Sequence, residues 1–416
     1  MNNDNLSKNN MSKRNFIIIA IAVFTAFAFF GFSDNIRGPT LPGIQAEFNI
    51  SEFQLGLLLA TGSFGYLLGC TYTAALGKKI GIRSCLIIAL LGMALCGVLA
   101  FFAPSYIILL LAFLLTSMGA GMIEISLGII AATVFKKRLG TMLNLSHFFY
   151  GVGAIFSPIV SVRIMSIRFG EQILSWRYVY LIVLSCAFIP LIPALIGRLS
   201  KRPDNTKKTG YASHFKNPTM WLIIAVLGLG VLSELGTGAW MVLYMERARS
   251  LTSENAALAL TLFFTGFTLT RLLIGPLSDK IGFANTLVIV TAFTGCMLVF
   301  GVILGDSGIP LIVATGIGVA PIYPTVMALI AKLFPNDIDT AITAVATTTG
   351  VFIVMANMML GGLINQARLT FTQLHGESGI AIAYSSGMLF LGISGFGSFI
   401  AAFLLRRKLK KNNQLI

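Results

Sequence analysis

"AALGKKIGIR" (Ala74–Arg83) returns half a chain later as "GPLSDKIGFA" (Gly275–Ala284). Laid over each other, Leu76 meets Leu277, and Lys79-Ile80-Gly81 meets Lys280-Ile281-Gly282. Each copy reads as a tight turn in which glycine supplies the bend and basic side chains sit at a lipid–water boundary. A segment that recurs at half the chain length means a doubled structure. What is doubled is apolar. The 416 residues are 56% hydrophobic and 11% charged, with a mean hydropathy of +0.86. Soluble domains carry roughly 25% charged residues.

Apolar stretches, each long enough to cross a bilayer at about 20 residues, follow one another along nearly the whole chain. We expect twelve, with cores near 15–36, 53–76, 84–103, 106–134, 141–165, 176–198, 218–245, 255–277, 284–304, 310–333, 340–364 and 380–405. The predicted fold is an all-α membrane protein. Its twelve transmembrane helices form two pseudo-symmetric six-helix bundles, 1–198 and 218–416, joined by a linker at 199–217. Besides that linker, one long loop is expected, "RGPTLPGIQAEFNISE" (Arg37–Glu52), after the first span. The polar start "MNNDNLSKNNMSKRN" runs straight into a full-length span and lacks the pattern of a secretory signal.

Lys and Arg crowd alternate connections: Lys78, Lys79 and Arg83, then Lys136–Arg138, the central linker, and the tail "RRKLKK". The opposite connections hold only scattered arginines, so both termini are expected to be cytoplasmic. The net charge of +15 then reflects topology rather than nucleic-acid binding. The five cysteines, Cys70, Cys85, Cys96, Cys186 and Cys296, lie in or beside apolar segments without metal-ligand spacing, so neither a metal nor a cofactor is expected.

Polar residues inside such spans are the functional candidates, because each costs several kcal/mol unless paired, protonated or wetted. Glu124 stands mid-span in "GAGMIEISLGII", with no basic residue within a helical turn. Asp34 closes the first span, and the repeat projects it beside Glu234 in the seventh. Asp34 has an alternative reading as a helix-end partner of Arg37. Asn144, His147 and Gly151 share one face of the fifth helix, as Gly121, Glu124 and Gly128 do on the fourth. Those glycines leave room for water or ligand, and Glu124 and His147 are expected to approach each other in one cavity. Such a carboxyl can take a proton from one side and release it to the other. Trp240 and Tyr244 follow Glu234, Tyr150 follows His147, and Tyr323 lies between Pro321 and Pro324. Aromatic faces beside acids and amides suit a sugar, although interfacial or core packing explains the same residues. Asn144 and Asn357 alternatively bond across helices, and His147 alternatively packs in the core.

The doubled plan and the second loop copy, with Arg271 upstream and Asp279 at the acidic position, resemble the major facilitator superfamily. The resemblance implies that Asp279 contacts the start of a helix in the opposite half and stabilises one state. In the first copy Lys78 replaces the acid, and Arg83 closes the segment. Lys78 is either another cytoplasmic-side charge or one partner of a charge-reversed latch to Asp337 or Asp339 in "PNDIDTAI". "DNIRGPTLP", "HFFYGVGA", "E-x5-W-x3-Y" and "PIYPT" narrow the resemblance to the fucose–galactose–glucose:proton symporter family. It implies import of a hexose or 6-deoxyhexose by a monomeric carrier in a bacterial plasma membrane, through alternating access. Asp34 and Glu124 would couple the proton, with sodium as the other candidate ion. Solute contacts are expected from Asp34, Asn35, Asn144, His147, Tyr150, Glu234, Trp240, Tyr323 and Asn357. The alternatives are a proton-coupled exporter of drugs or metabolites with the same fold and, from another class, a membrane-embedded enzyme. "GVGAIFSPIVSV" lacks the paired glycines of such exporters. No H-E-x-x-H or G-x-S-x-G supports an enzyme.

Overall fold

The computed structural model describes residues 12–135, 139–170, 172–199, 215–335 and 338–413. The first half contains α1 (Lys13–Asp34), α2 (Arg37–Phe48), α3 (Glu52–Ile80), α4 (Ile82–Phe101), α5 (Tyr106–Val134), α6 (Leu139–Ser166), α7 (Trp176–Ser185) and α8 (Phe188–Ile196). The second contains α9 (Pro218–Arg249), α10 (Ser253–Ile281), α11 (Phe283–Ile303), α12 (Ile309–Val319), α13 (Ile322–Leu333), α14 (Ile338–His375) and α15 (Ser378–Lys411). A two-residue hairpin, β1 (Arg168–Phe169) with β2 (Gln172–Ile173), caps α6. Twelve helical stretches among the described residues are long and apolar enough to cross a membrane, as the all-α reading expects. An even count brings the chain in at Lys13 and out at Lys411 on one face, here called the terminus end.

The repeat reappears in the backbone. Gly81 (φ 88, ψ 140) separates α3 from α4, and Gly282 (φ 88, ψ 141) separates α10 from α11. Both sit in a left-handed region that a Cβ disfavours, so each Lys-Ile-Gly copy makes the same reversal.

The expected loop Arg37–Glu52 is instead mostly helix. Pro39 falls in the first turn of α2, where its missing N–H costs no bond. Asn49 (φ 49) ends that helix in an αL cap. α1 and α2 therefore form a single 36-residue span, broken at Asn35–Ile36. The span containing α12 and α13 is likewise broken, at Ala320–Pro321.

Small residues let helices touch backbone to backbone. A Cβ on Gly65 would meet Leu114 O at 2.1 Å, and one on Gly69 would meet Met118 O at 2.2 Å, locking α3 to α5. Between the halves, a Cβ on Gly38 of α2 would reach Gly238 O of α9 at 2.7 Å. One on Gly56 of α3 would lie 2.6 Å from Asn357 O and 2.8 Å from Gly361 Cα of α14. Polar links accompany these approaches. Asn357 Nδ2 donates to Ser63 Oγ (3.0 Å), and Thr261 Oγ1 to Ile155 O (3.2 Å). Glu52, only 3% exposed, accepts from Arg368 Nε (2.8 Å), Tyr384 Oη (3.2 Å) and Gln45 Nε2 (3.0 Å). These contacts close the two bundles against each other at the end far from the termini. Gly56→Leu is expected to hold that end apart. A Ser63→Cys probe should then react faster with a membrane-impermeant thiol reagent than it does in the Gly56 background.

Candidate functional site

Glu124 lies ten residues before the end of α5 and Arg271 ten before the end of α10. At a rise of about 1.5 Å per residue, both sit about 15 Å from the terminus end, near mid-membrane and in opposite halves. Glu124 accepts from Tyr66 Oη of α3, its only hydrogen bond among the described residues. It lies within electrostatic reach of Asp34 and Arg271. Arg271 Nη2 stands 3.8 Å from Glu234 Oε1 of α9, with 17% and 16% of these side chains exposed. Because these groups act on one another across the halves, their exposed atoms face a shared space rather than lipid.

The broken helix explains how Arg271 is held. Pro324 has no N–H, so the carbonyl four residues earlier, at Ala320, has no helical partner. Arg271 Nε donates to that carbonyl at 3.3 Å, and the guanidinium lies 4.1 Å from the Phe267 ring centroid. Tyr323, 37% exposed, lies in the first turn of α13 within electrostatic reach of Glu124, Glu234 and Arg271.

On the first half, the α1–α2 break places Asp34 beside Arg37 at 2.7 Å. Arg37 also donates to Ser117 (3.1 Å), and Tyr150 Oη donates to Asp34 Oδ2 (3.3 Å). Asn35 Nδ2 donates to Gly31 O (2.8 Å) and Tyr150 Oη (3.4 Å), which caps α1 and ties it to α6. Asp34, Tyr150, Glu124, Glu234, Arg271 and Tyr323 thus converge on one space.

Other expectations are corrected. His147 does not meet Glu124; its ring packs edge-on against Phe27 at 5.4 Å. Glu124 instead turns toward α3, because Gly121 is consumed in packing: a Cβ there would lie 2.5 Å from Tyr66 O. Gly151 is similarly filled by Thr268, whereas Gly128 has open space. Trp240 is 1% exposed, and its Nε1 has no hydrogen-bond partner among the described residues. Six residues past Glu234 places it off that face and toward the closed end, so it does not line the space. Tyr244 is buried too and accepts from Arg249 Nε at 2.8 Å. Asn357 is spent on Ser63.

Arg271, expected upstream of the loop pattern, lies nearly three turns inside α10. Arg83 donates to Ala194 O (2.9 Å) and Leu195 O, capping α8 in its own half. Asp279 is exposed and makes no ion pair among the described residues. Asp337 and the side chains of Asp339 and Asn144 lie outside the described residues. Lys78 lies in the last turn of α3, on the terminus side.

Tyr66 and Glu52 went unread in the sequence. Tyr66 sits in glycine-rich "TGSFGYLLG", where it looks like one more aromatic core residue, and Glu52 fell in the supposed loop. Tyr66→Phe removes the hydrogen bond to Glu124, and leaving a buried acceptor unmet costs about 1–3 kcal/mol. Solute uptake is expected to fall about tenfold at unchanged expression, measured as initial rates in proteoliposomes.

The sequence profile of the Major Facilitator Superfamily matches residues 23–350 and 231–416. Among curated proteins, "Bypass of stop codon protein 6" of Saccharomyces cerevisiae is 21% identical over 373 residues, 79% of this chain and 73% of that protein. Among solved structures, a bacterial homolog to the human lysosomal transporter Spinster, inward-facing and unoccupied, superposes with a TM-score of 0.77. It is 15% identical, with 95% of this chain and 99% of that one covered. The nucleoside transporter NupG gives 0.74 at 16% identity, covering 94% and 100%. FucP in the outward conformation gives 0.62 at 17% identity, covering 94% and 99%. At these identities the structural likenesses establish the fold.

Proposed function

The chain belongs to the Major Facilitator Superfamily, and on that premise we propose that it carries a small hydroxylated solute, a hexose or 6-deoxyhexose, into the cell together with a proton. Its family and fold are those of transporters that bind small solutes in a lipid bilayer, not of enzymes. The observation that carries the proton reading is Glu124: mid-span, bonded to the Tyr66 hydroxyl of its own half and without a cationic partner at ion-pair distance among the described residues. A charge so placed is costly to move through the membrane, and a proton removes the cost. Asp34 differs, since Arg37 already neutralises it.

With both termini cytoplasmic, the closed end faces outward, and the shared space belongs to an inward-facing state. The loaded carrier crosses with Glu124 neutral. Solute and proton leave toward the cytoplasm, and the empty carrier returns. The hydroxyl-rich solute is supported by the mixture of groups around the space: tyrosine hydroxyls, a guanidinium and carboxylates, all able to bond to a polyol. The sequence patches shared with fucose–galactose–glucose:proton symporters point the same way. NupG and FucP also contribute, as a fold shared with a protein described as a nucleoside transporter and with one described as a fucose:proton symporter.

A screen of labelled hexoses, 6-deoxyhexoses and nucleosides in proteoliposomes, with and without sodium, tests the solute and the ion. Hexose accumulation that collapses with a protonophore supports the proposal. Sodium-dependent accumulation replaces the ion, and a nucleoside signal replaces the solute. Dye extrusion without sugar uptake turns the reading to an exporter.

A further inference from the structure

Two ion pairs flank the shared space, and they differ. Asp34–Arg37 is closed: 2.7 Å, with Ser117 and Tyr150 taking further bonding positions. Arg271–Glu234 is open: 3.8 Å, beyond hydrogen-bond reach, and Glu234 makes no hydrogen bond among the described residues. Arg271 uses Nε on Ala320 O and one face on Phe267, which leaves its two outer nitrogens without a hydrogen bond among the described residues, Nη2 facing Glu234 at 3.8 Å. An arginine fork and a carboxylate, both partly exposed and both with bonding capacity left over, form a receptor for a polar molecule inserted between them.

We propose that Arg271 and Glu234 are the second half's solute anchor and set the charge of the cargo, admitting solutes without net charge and rejecting acids and amines. The inference rests on the transport reading above and adds the charge rule to it. The reason is charge balance. Arg37 is neutralised by Asp34 and Arg271 by Glu234; with its proton, Glu124 is neutral. A neutral polyol leaves the loaded space at zero charge and bonds to guanidinium and carboxylate at once. A carboxylated or phosphorylated analogue brings a negative charge into a low-dielectric space where the charge of Arg271 is already balanced by Glu234. An ammonium analogue meets the converse problem. His147, also within electrostatic reach of Arg271, is held edge-on by Phe27 and supplies no second anchor.

The rule reverses on substitution. Glu234→Gln releases Arg271 for an anion, and Arg271→Gln releases Glu234 for a cation. The experiment is ligand-induced thermal stabilisation of the purified full-length protein in detergent. The probes are glucose, glucuronate and glucosamine, with uridine and uridine monophosphate as a second matched set. Wild type is expected to respond to a neutral member and not to its charged analogues. Glu234→Gln should gain the acid by at least tenfold in half-saturating concentration, and Arg271→Gln should gain glucosamine. Because the two variants leave opposite charges uncompensated, misfolding of one leaves the other as the test. Wild-type preference for an acid, or folded variants that gain no charged ligand, overturns the rule. If wild type answers to uridine and not glucose while the variants switch as expected, the sugar reading fails and the charge rule stands. If glucose binds and no variant switches, the charge rule alone fails.

Discussion

Glu124→Gln is expected to abolish proton-driven accumulation while preserving exchange of solute across the membrane. In the wild type, a gradient of one pH unit supports about tenfold accumulation for one proton per solute, since each unit is worth about 1.4 kcal/mol. Glutamine keeps the size and one acceptor oxygen for the Tyr66 hydroxyl, so the site stays assembled, but it is permanently neutral. The variant then resembles the protonated carrier, crosses loaded, and cannot deliver a proton. Internal and external solute should equalise at a ratio near one, with counterflow of preloaded solute intact. Tracer uptake and counterflow in the same vesicles separate the two. Loss of both would make Glu124 a binding group only, and retention of both would remove it from coupling.

Glu52→Ala is expected to weaken the closed end. The carboxylate is buried and shared by Arg368, Tyr384 and Gln45, so three groups in both halves lose their partner together. Arg368 is itself about a third exposed (36%), so water offsets part of the loss. We assign about 2 kcal/mol to the closed state, a population shift of up to about 30-fold. Spin labels at Ala46→Cys and Gln373→Cys, both exposed beside this network, in a background without the native cysteines, should show a longer distance component. Arg368→Ala should move the distribution the same way but less. An unchanged distribution in Glu52→Ala would show that the end stays closed without this network, on the glycine contacts Gly56–Gly361 and Gly38–Gly238 and the Asn357–Ser63 and Thr261–Ile155 bonds.

The fold was legible because its signals are one-dimensional. Span length and hydropathy give the twelve crossings, and Lys-Ile-Gly recurs with its turn geometry intact at Gly81 and Gly282. The misread element, Arg37–Phe48, shows the limit. Two prolines and two glycines suggest a loop, yet Pro39 falls in a first turn that tolerates it, and the helix packs its Gly38 against the other half. Within the site, Glu124 stood out because a lone carboxylate in apolar sequence is costly wherever it points. Its partner did not stand out. Nothing in "TGSFGYLLG" says which way Tyr66 faces, and the spacing that put Gly121 beside Glu124 was satisfied by helix packing instead of by open space. Arg271 was drawn toward the neighbouring loop pattern, whereas its depth in α10 and the carbonyl freed by Pro324 give it to the centre. Trp240 and Asn357 illustrate the same rule: a polar or aromatic residue in a span announces a role, and only the three-dimensional neighbours say whether it meets solute or the other half.

The central claim, that solute and proton move together through Glu124, is tested most directly by adding solute to lightly buffered proteoliposomes and recording external pH as tracer enters. Alkalinisation of the medium in step with uptake, absent in Glu124→Gln vesicles, is the predicted result. Tracer entry with no pH change, or an equal pH change in the Glu124→Gln vesicles, would contradict it.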